Sequence, residues 1–327
     1  MSTLKKVGVL TSGGDAPGMN ACIRAVTRAA IYNGLQVFGI RYGFQGLIQG
    51  DIHQLFANSV SNIIQLGGTI LKSARSAEFT TPEGRQKAYE QLQKAGIQAL
   101  VVIGGDGSYR GAHEFITAYP DIQVIGLPGT IDNDLGGTDA TIGFDTAINT
   151  AMRAIDNIRD TADAFNRLFF VEVMGRDSGF IALHVGLSSG AEAILVPEEK
   201  TNLEALIEIL DTGWKRHKTS SIIVVAEGDD AGGAFEVAAK VKQRFSHYET
   251  KVAILGHIQR GGSPTCQDRV LATRLGAAAI ESLLQGKTGI ALGICHHQIR
   301  ETELLAAAQT RESINPSLLR LVDILSV

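Results

Sequence analysis

Residues 100–108 read LVVIGGDGS, an apolar run that ends in glycines, an aspartate and a serine. The same order recurs in 7–15, VGVLTSGGD, and in 124–134, VIGLPGTIDND. Short apolar runs bounded by glycine are typical of buried strands, and glycine lets the backbone turn tightly and approach a ligand closely. The three stretches therefore predict three buried strands, each followed by a glycine-rich loop at its carboxyl end.

Strand-like runs alternate with helix-like segments along most of the chain, which predicts an α/β fold with a parallel sheet covered by helices. The predicted strands are 6–11, 35–41, 98–103, 122–127, 167–173, 193–196, 220–226, 250–256 and 288–293. The predicted amphipathic helices are 18–32, 83–95, 143–160, 201–216, 232–245 and 267–284. Open α/β sheets bind ligands at the carboxyl ends of their strands, so the glycine-rich loops are expected at a ligand site.

A domain boundary is expected near residue 140, where the third glycine-rich loop ends one βα series and a long helix begins another. This gives a first domain of 1–140 and a second of 141–299. The final segment, 300–327, is a candidate to cross back to the first domain.

Composition limits the class of protein. The 327 residues, 44% hydrophobic and 20% charged, are ordinary for a soluble globular protein of this size. The net charge of −4 argues against non-specific nucleic-acid binding, which needs a basic surface. Three cysteines without metal-like spacing favour a reducing compartment. No apolar stretch reaches the roughly 20 residues that cross a bilayer, and the N-terminus does not resemble a signal peptide. We therefore expect a cytoplasmic protein without nucleic-acid or membrane partners.

The glycine-rich loops combine phosphate binding with carboxylates. Exposed N–H groups of such loops attract phosphate, but the carboxylate of Asp106 would repel a phosphate unless a cation such as Mg²⁺ lay between them. The bland alternative is a tight turn in which Ser108 caps the following helix. Asp132 and Asp134, two residues apart, suggest a base and a metal contact, whereas the alternative is an Asx-type turn. The loop at 13–18 matches neither the dinucleotide fingerprint nor the P-loop, which disfavours an oxidoreductase.

Basic residues beside glycines supply the opposite charge. Arg75 follows a glycine pair in a loop, and Arg176 and Arg260 follow predicted strands beside glycines, where they could bind an anion rather than merely be solvated. His257 is either a ligand-binding residue or a core histidine bonded to backbone, and in isolation the second reading is favoured. Glu227 is either a surface carboxylate or a ligand for sugar hydroxyls.

The motifs that carry a family resemblance are LTSGGDAPGMN (10–20), VVIGGDGSYRGA (101–112), GLPGTIDND (126–134), VEVMGR (171–176) and GHIQRGGSP (256–264). In this order and spacing the chain resembles bacterial-type ATP-dependent 6-phosphofructokinases over nearly its whole length. The resemblance implies two Rossmann-like three-layer α/β/α domains with mostly parallel sheets and an active site in the cleft between them. It also implies an ATP-binding first domain, a sugar-phosphate-binding second domain and a homotetramer. The implied reaction is Mg²⁺-assisted transfer of the γ-phosphoryl group of ATP to the 1-hydroxyl of fructose 6-phosphate, a step of glycolysis.

Roles for individual residues follow from the same resemblance. The catalytic residues would be Asp132 as general base together with Thr130, Arg75 and Arg176. Mg²⁺ would be held by Asp106, with Asp134 nearby. The residues expected at ATP are Gly14, Arg75, Ser76, Phe79, Arg85, Gly105, Asp106, Gly107 and Ser108, with Phe79 and Arg85 near the adenosine. The residues expected at the sugar phosphate are Thr130, Asp132, Asp134, Arg167, Met174, Gly175, Arg176, Glu227, Lys251, His257 and Arg260, with Arg167 and Lys251 reaching it from a neighbouring subunit.

Two small residues indicate the phosphoryl donor. Pyrophosphate-using relatives have an aspartate at the position of Gly107 and a lysine at that of Gly129, and both are glycine here, which favours ATP. The pyrophosphate-dependent enzyme and a catalytically silent sugar-phosphate-binding regulator are the alternatives. The silent regulator is disfavoured because the chain contains the proposed catalytic and metal-binding residues Asp106, Asp132, Arg75 and Arg176.

The chain departs from the family pattern in two places. Lys251 replaces an arginine, which predicts weaker fructose 6-phosphate binding because lysine lacks the forked, two-bond geometry. The family's effector site for ADP or phosphoenolpyruvate is represented by Arg24, Arg28, Arg159, Gly190, Glu192, Arg216 and Lys218. However, Ala57, Asn62 and Ser220 stand where the family usually has an arginine, an aspartate and a histidine, so we expect weak allosteric control unless other basic residues compensate.

Overall fold

The computed structural model describes residues 4–245, 247–310 and 313–325. Within them the chain forms two compact units. The first unit contains 4–131, 135–146 and 260–310, and the second contains 132–134, 147–245, 247–259 and 313–325. This division differs from the predicted one at 260–299, which lies in the first unit. The final segment is split, since only its part up to residue 310 returns to the first unit.

The elements up to the first long crossing helix are β1 (Lys6–Ser12), α1 (Met19–Tyr32), β2 (Gln36–Ile40), α2 (Gly43–Gln49), β3 (Ile52–Leu55), a 3₁₀ turn (Glu78–Thr80), α3 (Pro82–Ala95), β4 (Ala99–Gly104), α4 (Asp106–Ala118), β5 (Gln123–Thr130), β6 (Ile142–Gly143) and α5 (Phe144–Asp163). They are followed by β7 (Arg167–Val173), α6 (Phe180–Ser188), β8 (Ala193–Leu195), α7 (Leu203–Lys215), β9 (Ser221–Ala226), α8 (Ala234–Lys242), β10 (Glu249–Ile254) and a 3₁₀ turn (Gly256–Arg260). The chain continues with α9 (Cys266–Leu284), β11 (Ile290–Cys295), β12 (Gln298–Glu303), α10 (Leu304–Gln309) and α11 (Pro316–Leu325).

The sheet of the first unit has the strand order β12-β11-β5-β4-β1-β2-β3, with the short β6 beside β5. All neighbours are parallel except the outermost pairs, where β12 and β3 run antiparallel to their partners. The second unit has a four-stranded parallel sheet in the order β10-β7-β9-β8. The α/β fold with mostly parallel sheets is therefore confirmed.

Each unit has its own apolar core. Strands β4 and β9 are buried along their whole length, as expected for central strands of a parallel sheet covered on both faces. In the first unit, Phe44, Phe79 and Phe115 form a stack inside the core. In the second unit, the core cluster is centred on β7 and β9 and includes Phe170 and Phe245.

Two smaller findings bear on the composition argument. Cys22, Cys266 and Cys295 are all free thiols. Among the described residues, no helix combines the length and the apolar character needed to span a membrane.

Candidate active site

The three glycine-rich loops of the first unit leave the sheet at one level. Strands β1, β4 and β5 are neighbours, and their ends are in register because Ser12 pairs with Gly104 and Gly104 pairs with Pro128. The loops after these strands therefore start side by side at the carboxyl edge of the sheet. This is the position at which parallel α/β sheets bind ligands.

Close contacts and backbone conformation explain some of the glycines in these loops. A Cβ atom on Gly104 would lie 2.5 Å from the Ser108 Oγ and 2.6 Å from the Ser12 carbonyl oxygen. The Ser108 hydroxyl itself donates to that carbonyl, 3.1 Å away, and so ties the second loop to the first. Gly13 has a φ of 87°, a conformation that favours glycine. Shape, rather than side-chain chemistry, determines these positions.

Gly107 does not follow this rule. A Cβ atom there would meet nothing within 4 Å, and its φ lies outside the positive range in which glycine is favoured. It is the second residue of α4, where glycine costs about 0.5–1 kcal/mol relative to alanine. Gly129 is the opposite case, because a Cβ atom would lie 2.8 Å from Ile103 and 3.0 Å from Met19. The fold requires the glycine at 129 and does not require the one at 107.

Asp106 is the first residue of α4, and its Oδ2 lies 2.6 Å from the Arg110 guanidinium one turn later. The helix cap is Gly105 rather than Ser108, so the simple capping alternative for Ser108 is wrong. Among the described residues, no group of three or more His, Cys, Asp or Glu side chains could hold a metal ion. A single carboxylate at a glycine-rich loop nevertheless fits Mg²⁺, which commonly takes one or two carboxylates and completes its shell with substrate phosphates and water. Sequence reasoning missed Arg110, although its spacing of four from Asp106 on a helix is a recognisable signal.

Arg75 and Arg260 both belong to the first unit. Arg75 is exposed on an irregular segment. The Arg260 guanidinium lies against the first glycine-rich loop, where its Nη1 donates to the Asp15 carbonyl over 3.1 Å. A Cβ atom on Gly14 would come within 2.6 Å of the same nitrogen. The structure thus places Arg260 beside Gly14 and not in the predicted second domain.

Three residues predicted near ATP have structural partners. The Phe79 ring is 3% exposed and stacks on Phe44 with ring centres 3.9 Å apart. The Arg85 guanidinium donates to the carbonyl oxygens of Phe79 and Thr80 and pairs with Glu114 at 2.6 Å. The Ser76 hydroxyl donates to Gln45 and accepts from the backbone N–H of Phe79. Their predicted contacts with ATP stay predictions.

The third loop is divided between the units, since Thr130 belongs to the first and Asp132 and Asp134 to the second. Asp132 is 8% exposed, and its carbonyl oxygen accepts a hydrogen bond from the Ser178 hydroxyl over 3.2 Å. Between the two aspartates, Asn133 has a φ of 54°. Within the first unit, the Thr130 carbonyl accepts from Thr141 over 2.6 Å, and the Thr130 Cβ lies 3.7 Å from where a Cβ of Gly105 would be.

The loops of the second unit also leave the sheet at one edge, because Val173 at the end of β7 pairs with Ala226 at the end of β9. The Arg176 backbone N–H donates to the Glu227 carboxylate over 2.7 Å, which joins the two loops. Arg176 has a φ of 57° and Gly175 one of 144°, so the turn is in a conformation that costs energy for a non-glycine residue. Arg176 and Glu227 are exposed, whereas Met174 is 8% exposed.

The Glu249 carboxylate bridges the two predicted phosphate-binding cations of the second unit. Its oxygens lie 2.6 Å from the Lys251 Nζ and 2.8 Å from the Arg167 Nε. Hydrogen bonds from Lys251 and then Arg167 lower the pKa of Glu249 to about 2. Sequence reasoning missed Glu249, although it alternates with Lys251 on β10, a spacing that puts both on one face. His257 is exposed, which excludes the buried, core-histidine alternative.

Several residues of the predicted effector set lie in the second unit. Arg159 donates to the carbonyl oxygens of Ser189 and Gly190, and Lys218 pairs at 2.8 Å with Glu192, a buried carboxylate that also accepts from the Ile222 backbone. Arg216 is exposed at the end of α7. Arg24 and Arg28 lie one turn apart on α1 of the first unit. Ala57 and Asn62 are exposed and Ser220 is buried. None of these three side chains carries a charge.

Comparisons with known proteins show the family of the chain. The family model described as Phosphofructokinase matches residues 6–283. The chain is 55% identical to the ATP-dependent 6-phosphofructokinase 2 of Bacteroides thetaiotaomicron over 327 residues, 100% of both chains. It is also 55% identical to the ATP-dependent 6-phosphofructokinase 1 of Thermus thermophilus, over 99% of this chain and all of that one.

Solved structures show the same fold. Phosphofructokinase from Saccharomyces cerevisiae matches with a TM-score of 0.88 and 35% identity, over 98% of this chain and 48% of that one. A pyrophosphate-dependent phosphofructokinase from Marinobacter aquaeolei matches with a TM-score of 0.84 at 24% identity, which bears on the fold alone. On the matched family model and the full-length relatives, this chain belongs to the phosphofructokinase family.

Proposed function

We propose that this chain is an ATP-dependent 6-phosphofructokinase. It transfers the γ-phosphoryl group of ATP to the 1-hydroxyl of fructose 6-phosphate and so makes fructose 1,6-bisphosphate and ADP, a step of glycolysis. The full-length relatives at 55% identity carry the name of this activity. The glycolytic role supports a cytoplasmic location, which stays part of the proposal.

Gly107 is the observation that carries the choice of donor. The fold leaves open space at this position and gains nothing from a glycine there. A residue that weakens the start of a helix without a packing reason is explained if a ligand needs the space and the bare N–H groups. An aspartate would fit the protein at 107 but would repel the phosphates of ATP, which supports ATP rather than pyrophosphate as the donor.

The residues of the first unit bind and orient the donor. Backbone N–H groups at Gly14, Gly105 and Gly107, together with Ser108, are proposed to line the phosphates, and Arg75 offsets the negative charge that moves during transfer. Asp106 would hold Mg²⁺, whose chemistry is to neutralise charge on the phosphate oxygens. Phosphoryl transfer needs positioning and charge neutralisation more than covalent catalysis, which suits a site made of backbone and cations.

The residues of the second unit bind and activate the acceptor. Asp132 is proposed to accept the proton of the sugar 1-hydroxyl, while Arg176, with Thr130 of the first unit, stabilises the transferring group. The sugar phosphate would be bound by Met174, Glu227 and His257 of this unit and by Arg260 of the first. Since the Glu227 carboxylate also accepts from the Arg176 backbone, it can orient a catalytic residue and bind a sugar hydroxyl at once.

The test is a coupled assay for fructose 1,6-bisphosphate with ATP or pyrophosphate as donor, with and without Mg²⁺. We expect turnover with ATP and Mg²⁺ and little with pyrophosphate. A pyrophosphate preference would establish the pyrophosphate-dependent alternative. Binding of fructose 6-phosphate without turnover by either donor would establish the silent regulator.

Assembly and regulation are parts of the proposal that the family resemblance supports. We propose a homotetramer in which Arg167 and Lys251 reach the 6-phosphate of a neighbouring subunit. Because Ala57, Asn62 and Ser220 bring no charge to the effector set, we propose weak control by ADP or phosphoenolpyruvate. Titrating phosphoenolpyruvate at subsaturating fructose 6-phosphate should give no large sigmoidal shift, and strong inhibition at micromolar effector would contradict this.

A further inference from the structure

The segment that carries Arg75 has little regular structure of its own. Between the end of β3 at Leu55 and the 3₁₀ turn at Glu78, the chain forms neither helix nor strand. Backbone N–H and C=O groups in such a segment need partners from elsewhere. The groups that supply these partners therefore determine where Arg75 is held.

Asn20 supplies three of them from one side chain. It is the second residue of α1 and is 1% exposed. Its Nδ2 donates to the carbonyl oxygens of Leu66 and Gly67, both over 3.1 Å, and its Oδ1 accepts from the Ile70 N–H over 2.7 Å. Both amide hydrogens and the amide oxygen are thus used on the same segment.

Two further side chains continue these contacts toward Arg75. The Thr11 hydroxyl donates to the Lys72 carbonyl over 2.7 Å, and the Ser73 hydroxyl donates to the Gly13 carbonyl over 2.6 Å. Lys72 has a φ of 59°, which a lysine keeps only where its surroundings impose it. From Leu66 to Ser73 the backbone is therefore fastened to α1, to β1 and to the first glycine-rich loop.

The opposite side of the segment is closed by the loop that follows Arg260. A Cβ atom on Gly67 would lie 2.3 Å from the Gly262 carbonyl oxygen, and the Ser263 hydroxyl donates to the Gln65 carbonyl over 2.8 Å. The segment is thus packed between α1 and residues 261–264. The segment therefore has little room to move toward residues 261–264 if its contacts with Asn20 are changed.

The amide at position 20 is chemically specific. Aspartate could accept from Ile70 but could not donate to the two carbonyl oxygens, and it would put a buried charge against them. Leucine would fill a similar volume and leave three backbone groups without partners. Only a side chain with both donors and an acceptor satisfies Leu66, Gly67 and Ile70 together.

We propose that Asn20 is a positioning residue for phosphoryl transfer, because it fixes the segment 66–73 and so holds the backbone that leads into Arg75. This rests on the proposed function and adds to it a residue outside the glycine-rich loops and the charged clusters. Asn20 acts through Arg75 and has no contact with substrate of its own.

A double-mutant cycle tests this dependence. Arg75→Ala should lower kcat by roughly 10²–10³-fold, the usual cost of one charge-stabilising group. Asn20→Ala should lower kcat by about 10-fold or more, because a small displacement of a catalytic group is costly. In the Arg75→Ala background, Asn20→Ala should change kcat by less than about 2-fold. Additive losses, about 10-fold or more in both backgrounds, would overturn the proposal.

The matched control is Gln123→Ala. The Gln123 side-chain amide also donates to two backbone carbonyls, those of Leu283 and Lys287. Gln123 is the first residue of β5 and so lies at the end of the strand away from the glycine-rich loop. It should change kcat by less than about 2-fold. A loss in Gln123→Ala equal to that in Asn20→Ala would mean that any lost amide contact lowers activity and would overturn the role of Asn20.

Ser73→Ala provides a second variant if Asn20→Ala does not fold. Ser73 is only half-buried, and it lies between Asn20's contacts and Arg75. It should lower kcat in the wild-type background and have no effect beside Arg75→Ala, and equal losses in both backgrounds would contradict the proposal. A wild-type chain without 6-phosphofructokinase turnover would refute the proposed function itself, which is a separate outcome from additivity in an active enzyme.

Discussion

The loops of the two units are defined by different kinds of groups. In the first unit the decisive groups are glycines, such as Gly104, where an added carbon would collide with the Ser12 carbonyl oxygen, and Gly13, which has a φ of 87°. In the second unit they are charges, such as Glu249 between Arg167 and Lys251 and Glu227 at the Arg176 backbone. A site defined by shape fails when volume is added, whereas one defined by charge fails when charge is exchanged. The comparison therefore predicts which kind of substitution each unit tolerates.

The largest effect is expected from Asp132 in the second unit. Asp132→Ser removes the proposed base and should lower kcat by about 10²–10⁴-fold, while both substrates still bind. The measurements are steady-state kcat and direct binding of ATP and fructose 6-phosphate. Asp211→Ser is the control, because Asp211 pairs with Lys215 on the surface of α7. Near-normal turnover of Asp132→Ser would contradict the role of Asp132 as the base. The second unit would then not contribute to catalysis through this carboxylate.

Gly107 is the glycine of the first unit that packing does not require, and it tests the proposed donor site there. Gly107→Asp should fold normally, because the position is open, and should lower kcat/KM for ATP by roughly 10²-fold through like-charge repulsion. Gly107→Ala is the matched variant, and it should raise the free energy of unfolding by up to about 1 kcal/mol, since alanine favours the helix. Kinetics with ATP and urea unfolding of both variants provide the measurements. If Gly107→Asp uses ATP as well as wild type does, the open space has another purpose.

Asp268 is a residue of the first unit whose role depends on charge rather than on shape. It is 1% exposed and lies outside the glycine-rich loops. It accepts from the Gly143 and Thr146 backbones and the Thr146 hydroxyl, and so caps the start of α5. Burial nevertheless raises its pKa from 3.8 to about 6. The folded chain therefore binds this proton more tightly than the unfolded chain. The contribution of Asp268 to the free energy of unfolding is most favourable below about pH 4 and is lost as the pH rises to about 6.

Asp268→Asn should remove this pH dependence. Relative to wild type, the variant should gain about 2–3 kcal/mol in the free energy of unfolding between pH 4 and pH 7, at about 1.4 kcal/mol per pKa unit. Urea unfolding at several pH values measures the difference. A difference between the two proteins that stays constant with pH would show that the Asp268 carboxyl is already ionised at pH 4. Asp268 would then resemble the ionised, paired carboxylates of the second unit.

The same contrast explains what the sequence could predict. Apolar runs such as 98–103 and 220–226 were sufficient to predict β4 and β9, because a buried parallel strand is continuous in its hydrophobicity. The edge strands β3 and β12 were missed, because neither contains a continuous run of buried apolar residues. The return of 260–299 to the first unit was also missed, since no local signal records which sheet a helix such as α9 packs on.

The site shows a parallel limit. Glycine motifs predicted the loops of the first unit, because the residue type that a tight turn favours can be read directly from the sequence. The partners of side chains were not visible in this way. The stacking of Phe79 on Phe44 was not predicted, and Glu249 was not singled out although it pairs with two predicted phosphate-binding residues. Tertiary contacts between residues far apart in sequence decide such roles, and residue type alone does not record them.

Lys251 gives the smallest expected effect and the finest test of the charge argument. Lys251→Arg should lower KM for fructose 6-phosphate by about 2- to 5-fold with kcat unchanged, because a guanidinium can donate two parallel hydrogen bonds to a phosphate. Glu249→Gln should act in the same direction, since it removes the carboxylate that now accepts from both Lys251 and Arg167. Both effects should weaken as salt is added, because exposed charges are screened. An unchanged KM in both variants would mean that these cations serve Glu249 alone, and the second unit's reliance on charge would then rest on Arg176 and Glu227.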